Sequence, residues 1–283
     1  MKVVVTGGSG LAGSAVLWHL LDTGYDVLSV DRRPPPHPIA EFRLVDCEDL
    51  GQVYGASHGA DAIVHLAAIP RPIHHTPDQV FGANIMATFN IFEAAAALQI
   101  PRVVYVSSMS VLGLPFSYQP IRLAYLPIDE AHPKAPQDAY ALSKTLGEDI
   151  ALAFVRRMAG ALSVVSLRFP WIHSPATFKS VLTPLWDDPV GGATNLWAYI
   201  DTRDVARACR LALEADISGH EAFYISARNT FMKADSASLA QTYYPQAKAR
   251  SGLAGNQSLF DTSKARRALG YEPHYCWEDY EWI

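Results

Sequence analysis

Residues 1–33 read MKVVVTGGSGLAGSAVLWHLLDTGYDVLSVDRR, and their order decides the fold. Val3, Val4 and Val5 form a short β-branched run that predicts a buried strand. Gly7, Gly10 and Gly13 follow at a spacing of three. A helix is predicted from Leu11 to Thr23, with Gly24 ending it, and a second strand over Asp26–Val30 closes on Asp31. Glycines let backbone amides come close to a pyrophosphate, and a helix N-terminus adds unpaired N–H donors and the positive end of its dipole. Asp31, eighteen residues past Gly13, stands where an acid accepts from the hydroxyls of an adenosine ribose. Strand, glycine turn, helix, strand and acid together predict a dinucleotide site. The carboxylate points to NAD, because it repels a 2′-phosphate. Arg32 and Arg33 beside it keep NADP as the less favoured alternative.

The same alternation continues outward. Strands are predicted at Phe42–Val45, Ala62–His65, Arg102–Val106 and Ser163–Leu167, and helices at Asp49–Ser57, Pro77–Gln99 and Gln137–Met158. Strands alternating with helices imply an α/β fold with a Rossmann-type, doubly wound parallel sheet and right-handed crossovers. Gly7, Asp31, Ala67, Ser108 and Arg168 all fall at strand C-terminal ends, where such sheets bind ligands. From Phe169 the pattern loosens, and the Pro-, Trp- and Gly-rich stretch to Ile200 reads as loops over a substrate before a helix at Asp201–Glu214. The expected division is a dinucleotide-binding domain at 1–168 and a small substrate lobe at 169–283, partly threaded with it.

Tyr140 and Lys144 in DAYALSKTLGE lie four residues apart, so a helix puts them on one face. An ammonium beside a phenol favours the phenolate, and a phenol so acidified can take a proton from a substrate hydroxyl. Ser108 in VVYVSSMS supplies a hydroxyl to orient the reacting oxygen.

With these residues in view, the chain resembles the extended short-chain dehydrogenase/reductases, the NAD-dependent epimerase/dehydratase family. The matching motifs are Thr6 to Gly13, Asp31, Asp46 in RLVDCEDL, His65-Leu66-Ala67-Ala68, Asn84 with Thr88 and Asn90, Ser107-Ser108, the approach to Tyr140, Arg168, YIDTRDVARA and the tail DTSKARRALGYEP. The resemblance implies catalytic roles for Ser108, Tyr140 and Lys144, with Asn84 supporting Lys144 through a water. An alternative for Asn84 is a buried polar group satisfied by backbone. It implies cofactor contacts from Gly7, Ser9, Gly10, Leu11 and Gly13, from Asp31, Arg32, Asp46 and Cys47, and from Leu66, Ala67, Ala68, Tyr140 and Lys144. On the substrate side it implies Ile69, Ser108, Met109, Ser110, Arg168 and Trp171. Arg168 is read either as a structural ion-pair partner or as the group that meets a substrate carboxylate. Two departures are Leu112-Gly113, where the family carries Tyr-Gly, and Trp171, where nucleotide-sugar epimerases place an Asn that reaches the diphosphate. Trp171 and the short chain, with its small substrate lobe, argue against a nucleotide-diphosphate sugar and for a free sugar or sugar acid, at the compact, uronate-dehydrogenase-like end of the family. The resemblance also implies a homodimer through the helices near 77–99 and 137–158.

At 283 residues with net charge −5 and no basic block, the chain is large enough for a full core and is an unlikely binder of nucleic acid or anionic membrane. No apolar stretch is expected to reach membrane-spanning length, and the opening strand leaves no room for a signal peptide. Cys47, Cys209 and Cys276 are dispersed and odd in number, as expected of reduced thiols in a cytoplasm. His65 reads as a packed strand-end residue rather than a catalyst. Arg71, His74 and His75 follow the fourth strand and face either the substrate or solvent. No metal site is expected, since acids and thiols at ligand spacing are missing. Trp171, His173 and Trp197 are candidate pocket linings. The leading functional reading is an NAD-dependent oxidoreductase acting on a sugar or sugar-acid hydroxyl. A sugar epimerase and a noncatalytic dinucleotide-binding module are the alternatives.

Overall fold

The computed structural model describes residues 1–281; the last two residues of the expected substrate lobe lie outside them. The chain begins β1 (Lys2–Thr6), α1 (Leu11–Asp22), β2 (Asp26–Asp31), β3 (Glu41–Leu44), α2 (Leu50–Ser57) and β4 (Ala62–His65). It continues α3 (Pro77–Ala97), β5 (Arg102–Ser108), the short β6 (Tyr125–Leu126), α4 (Ala139–Arg157) and β7 (Ser163–Phe169). Then come β8 (Trp171–His173), α5 (Pro175–Val181), α6 (Pro189–Ala193), β9 (Tyr199–Asp201), α7 (Thr202–Glu214) and β10 (His220–Tyr224). The described chain closes with α8 (Ser236–Tyr243), β11 (Lys248–Ala249) and α9 (Ser263–Leu269).

Seven strands form one sheet in the order β10-β7-β5-β4-β1-β2-β3, and every pairing in it is parallel. Successive side chains in a strand face opposite sides, so each strand feeds two cores. Val3 and Val5 of β1 and Val104 of β5 pack with Leu17 and Leu20 of α1 and Val205 of α7. Val4 and Val103 face the other way, onto Ile91 and Phe92 of α3 and Phe154 of α4. Burial on both faces explains the unbroken valine runs, since no strand face needs to be polar. The sheet is therefore the expected Rossmann-type, doubly wound arrangement, and its crossover in strand order lies between β1 and β4, where a ligand crevice forms.

The region past Phe169 corrects one expectation. The stretch read as loops folds into β8, α5, a 3-10 turn at Thr183–Asp187, and α6. Ser174 caps α5 by accepting from the Thr177 N–H, and Pro175 and Pro189 start the two helices, so short capping signals outweigh the turn-forming composition. These helices enclose a separate apolar core in which Phe178, Trp197, Tyr199 and Phe231 meet Leu112, Leu114 and Ile128 from the segment before α4. Trp197 is wholly buried there, with its indole N–H donated to the Pro189 carbonyl at 2.7 Å. It lines that core and not the ligand cleft, contrary to expectation.

A second correction concerns α3. At 21 residues it is long and apolar enough to cross a membrane by length and composition, although 56% of its apolar window is buried inside this molecule. Its buried residues, among them Val80, Ile91 and Phe92, pack within the fold.

Candidate active site

A cleft of about 650 Å³ runs along the C-terminal edge of the sheet, from Asp31 and Asp46 at one end to Trp171 and Asn195 at the other. The glycine turn forms its floor. The Gly7 N–H donates to the Val30 carbonyl at 2.9 Å and the Gly10 N–H to the Gly7 carbonyl at 3.1 Å, which folds the turn tightly against β2. Gly7 has φ +73°, and a Cβ there would lie 2.8 Å from the Ala67 nitrogen. At Gly13 a Cβ would lie 2.1 Å from the Gly7 oxygen. Gly10, the N-cap of α1, offers no side-chain cap and is exposed on the cleft wall. The first amides of α1 are thus left for an anion, and the cradle is open at the one glycine that faces outward. This fits a dinucleotide pyrophosphate.

Asp31 accepts from the Ser9 N–H and from the Arg33 N–H, both at 3.1 Å, which sets its carboxylate at the cleft rim and ties the turn to the loop after β2. Leu11, Arg32, Asp46 and Cys47 line this end with it. Ser9 does not line the cleft; its hydroxyl donates to the Arg33 carbonyl at 2.7 Å, so it braces the loop. Cys47 is buried, and burial with the nearby Asp46 pushes its thiol up to about 12, which leaves it an unreactive wall.

Leu66, Ala67 and Ala68 carry the floor onward from β4. They are set by a buried link: Thr6 Oγ1 accepts from the Ala67 N–H at 3.1 Å and lies 2.7 Å from His65 Nδ1. Burial, aided by the Lys144 ammonium, holds His65 down at about 3, so it is neutral and structural, as the packed reading had it. The Asn84 amide accepts from the Ile69 N–H at 2.7 Å and donates to the Ile69 carbonyl at 3.1 Å and to Ser143 Oγ at 3.2 Å. It lines the cleft and clamps Ile69 at its wall.

Ser108, Tyr140 and Lys144 all line the cleft. The Asp138 carboxylate caps α4 by accepting from the Tyr140 N–H at 2.8 Å and the Ala141 N–H at 3.0 Å, which fixes the turn that bears the phenol. Ser108 Oγ accepts from the Ser110 N–H at 3.0 Å and donates to Ser110 Oγ at 2.9 Å. Lys144 Nζ donates to the Val106 carbonyl at 2.7 Å and lies 5.8 Å from the centre of the Tyr140 ring. The electrostatics here reverse the expectation. Burial pushes the Tyr140 phenol up to about 12, with the Ser108 hydroxyl opposing it, and burial brings Lys144 down to about 7, opposed by Glu148. In the protein alone, desolvation of both groups outweighs their mutual attraction, because the ammonium is bonded to a carbonyl and not to the phenol.

Arg168 is the clearest correction. Its Nε and Nη2 each donate to the Glu148 carboxylate at 2.8 Å, both side chains are almost fully buried, and Arg168 does not line the cleft. The bidentate pair consumes the guanidinium, so it is structural and unavailable to a substrate. Ile69, Met109, Ser110 and Trp171 do line the substrate end, as do Arg71 and His75. His173 is buried and lies off the cleft lining. Sequence reasoning missed Phe116 and Asn195, which also line this end. Phe116 lies in the segment between β5 and β6 and carries no motif of its own. Asn195 follows Gly191-Gly192-Ala193-Thr194, and its Nδ2 donates to the Ala198 carbonyl at 2.6 Å, a turn signature that could have placed it. Among the described residues no three His, Cys, Asp or Glu side chains gather as a metal site.

The profile of the NAD dependent epimerase/dehydratase family matches residues 3–225. The chain is 30% identical over 222 residues to an L-arabinose 1-dehydrogenase (NAD(P)(+)) of Haloferax volcanii, a match spanning 76% of this chain and 84% of that protein. It is 30% identical over 172 residues to a uronate dehydrogenase of Pseudomonas putida, spanning 59% of each. A short-chain dehydrogenase/reductase superfamily protein of Agrobacterium tumefaciens, solved with bound NAD, shares the fold at a TM-score of 0.74 and 24% identity, with 98% of this chain and 94% of that chain covered.

Proposed function

Because the chain belongs to the NAD dependent epimerase/dehydratase family, we propose that it is an NAD-dependent dehydrogenase of a free sugar or sugar acid, oxidising a hydroxyl-bearing carbon. One observation carries this reading: Ser108, Tyr140 and Lys144 line the same cleft as the glycine turn and Asp31. Gly7, Gly10, the start of α1 and Asp31 would hold the cofactor. When bound, NAD supplies a hydride acceptor and a positively charged ring. Tyr140 takes the hydroxyl proton, Ser108 orients the oxygen that loses it, and Lys144 keeps positive charge beside the phenolate as it forms. Asp31 favours NAD over NADP by repelling a 2′-phosphate, despite Arg32 beside it.

The substrate end supports a free sugar. Trp171 and Phe116 give it apolar ring faces, and Arg71 is a cationic side chain there with His75 beside it, whereas the acids lining the cleft, Asp31, Asp46 and Glu48, sit at the far end. Arg71, and not Arg168, is then the guanidinium that meets a substrate carboxylate. We place the enzyme in the cytoplasm, where three unpaired, buried cysteines are at ease. A homodimer through α3 and α4 fits the exposed Met86, Phe89 and Leu142 on those helices.

Incubating the protein with NAD and a panel of aldoses and uronates, and following NADH absorbance, tests the activity. Net NADH formation is the expected result, and Tyr140→Phe should lower kcat about 10²- to 10⁴-fold. Interconversion of sugars with no net NADH would replace this reading with an epimerase, and full activity in Tyr140→Phe would reject the assignment of the base.

A further inference from the structure

The buried ion pair that removed Arg168 from the substrate lies one helical turn from Lys144. Lys144 and Glu148 are four residues apart on α4, on one face. They grip consecutive residues of β5: Lys144 Nζ donates to the Val106 carbonyl at 2.7 Å, and Glu148 Oε1 accepts from Ser107 Oγ at 2.9 Å. The next residue is Ser108. Glu148 also accepts twice from Arg168 on β7 at 2.8 Å and from Lys134 Nζ, in the loop before α4, at 3.4 Å. Its side chain is 3% exposed, so a carboxylate is held there only by these donors. The Arg168 guanidinium also lies over the Tyr224 ring, 5.1 Å from its centre.

Resting on the dehydrogenase reading, we propose that Glu148 is a positioning residue whose buried negative charge, fixed by Arg168, keeps the Lys144 ammonium cationic and sets the β5 end that carries Ser108. A fold needing only a β5–β7–α4 brace could use a neutral hydrogen-bonded pair, but a desolvated lysine beside the cleft needs an anion near it. Burial brings Lys144 down toward neutrality and Glu148 is the group that opposes this. The other titratable groups facing the pair do not substitute for it. On β5 and β10, Tyr105 and Tyr224 are pushed up by burial and stay neutral. His220 on β10 and His65 on β4 are held down by burial and carry no charge at pH 7. Tyr140 on α4 is also pushed up. Glu130 meets Arg168 and the Tyr224 N–H from the far side of the pair.

The test reads Lys144 directly in the cofactor-free protein, by ¹³Cε NMR titration of ¹³C-lysine-labelled material, with Lys144→Met to assign the signal. Glu148→Gln leaves Arg168 and Lys134 facing Lys144 and should lower its midpoint by about one pH unit. Arg168→Met removes the two donors that keep the buried Glu148 carboxylate ionised, so Glu148 takes up a proton and the Lys144 midpoint should fall as well, by roughly half a unit. The double variant lacks the anion too and should also stay below the wild-type value. Lys134→Met, at a side chain one third exposed, keeps the buried pair intact and should raise the midpoint by a few tenths of a unit. Lowered midpoints in Glu148→Gln, Arg168→Met and the double variant support the proposal, and the alkaline limb of kcat/KM should move with them. A Lys144 midpoint unmoved or raised in Glu148→Gln, with or without loss of thermal stability, would overturn it. The expected NMR shifts in a protein that reduces no NAD on any sugar would sustain the charge coupling while defeating the dehydrogenase reading.

Discussion

Replacing Gly13 with alanine is a small change whose sign the structure decides. Gly13 sits in α1, where alanine is preferred over glycine by about 1 kcal/mol on helix propensity. Against that gain, the new Cβ would lie 2.1 Å from the Gly7 oxygen, 2.7 Å from Gly8 Cα and 2.8 Å from the Gly7 carbonyl carbon. Ordinary contact begins at 3.4 Å, so the methyl is about 1.3 Å too close to the nearest atom (3.4 less 2.1). All three neighbours are backbone, so no side-chain rotation relieves the overlap, and the turn must move outward into the space the pyrophosphate needs. Overpacking of this kind costs about 1–3 kcal/mol, and displacement of the amides by an ångström should weaken NAD binding at least ~100-fold, near 2.7 kcal/mol. Gly55 in α2 is the control, since a Cβ there meets nothing within 4 Å. Calorimetric titration with NAD and thermal unfolding of both variants give the answer. Gly55→Ala should bind NAD normally and melt slightly higher, by about 1–3 °C. Gly13→Ala should lose binding and melt lower. Wild-type NAD affinity in Gly13→Ala would refute the reasoning, because a cleft that tolerates that methyl is not gripping the cofactor through this turn.

Other outcomes follow from the same cleft. Asp31→Ser should raise the preference for NADP over NAD by about tenfold or more in kcat/KM, since it removes the charge that repels a 2′-phosphate and leaves Arg32 and Arg33 beside it; an unchanged cofactor ratio would disprove the role of Asp31. Arg71→Ala should raise KM for uronates about ten- to hundredfold while leaving neutral aldoses nearly unaffected, a comparison made by steady-state kinetics. Stability should depend on pH through Lys144, whose folded midpoint of about 7 lies below its ordinary 10.5. Between these values the unfolded chain binds more protons, so stability rises with pH above about 7, by up to about 1.4 kcal/mol per unit, and falls away as pH drops through 7. Urea unfolding of wild type and Lys144→Met should show their stability difference closing in favour of the wild type as pH increases over this window.

Local chemistry was legible in the sequence, and long-range pairing was not. The glycine spacing, the valine runs and Asp31 each have a meaning within one turn or one strand, and the parallel sheet follows from their alternation. The lining residues Ser108, Tyr140 and Lys144 were placed by spacing within a helix and by a strand end. Arg168 was left open between two roles because its partner, Glu148, belongs to another element, and the side chains meet only when α4 lies across β7. The acidity of Tyr140 was misjudged for a related reason. Proximity of Lys144 is visible as a four-residue step, whereas burial of both groups is a property of the assembled cleft, and here burial dominates. Trp197 was misplaced in the cleft, and the helices α5 and α6 were missed, because a second apolar core forms from segments far apart in the chain. Ser9 and Asn84 carry motif positions, yet their polar atoms are committed to the backbone of Arg33 and Ile69.

The outermost strand of the sheet, β10, arrives only after the chain has built most of the material over the cleft, and it docks in parallel on β7. Between them β8 and β9 lie side by side, with His173 opposite Asp201, so the stretch from Ser174 to Ala198 leaves and returns at neighbouring points. That stretch is a cassette stapled at both ends to a rigid frame. Its exposed positions can vary without touching the strands that grip the dinucleotide, while Phe178 and Trp197 tie it into the second core. Diversification of substrate on this scaffold therefore has a ready address, and grafts should be cut at those two paired strands.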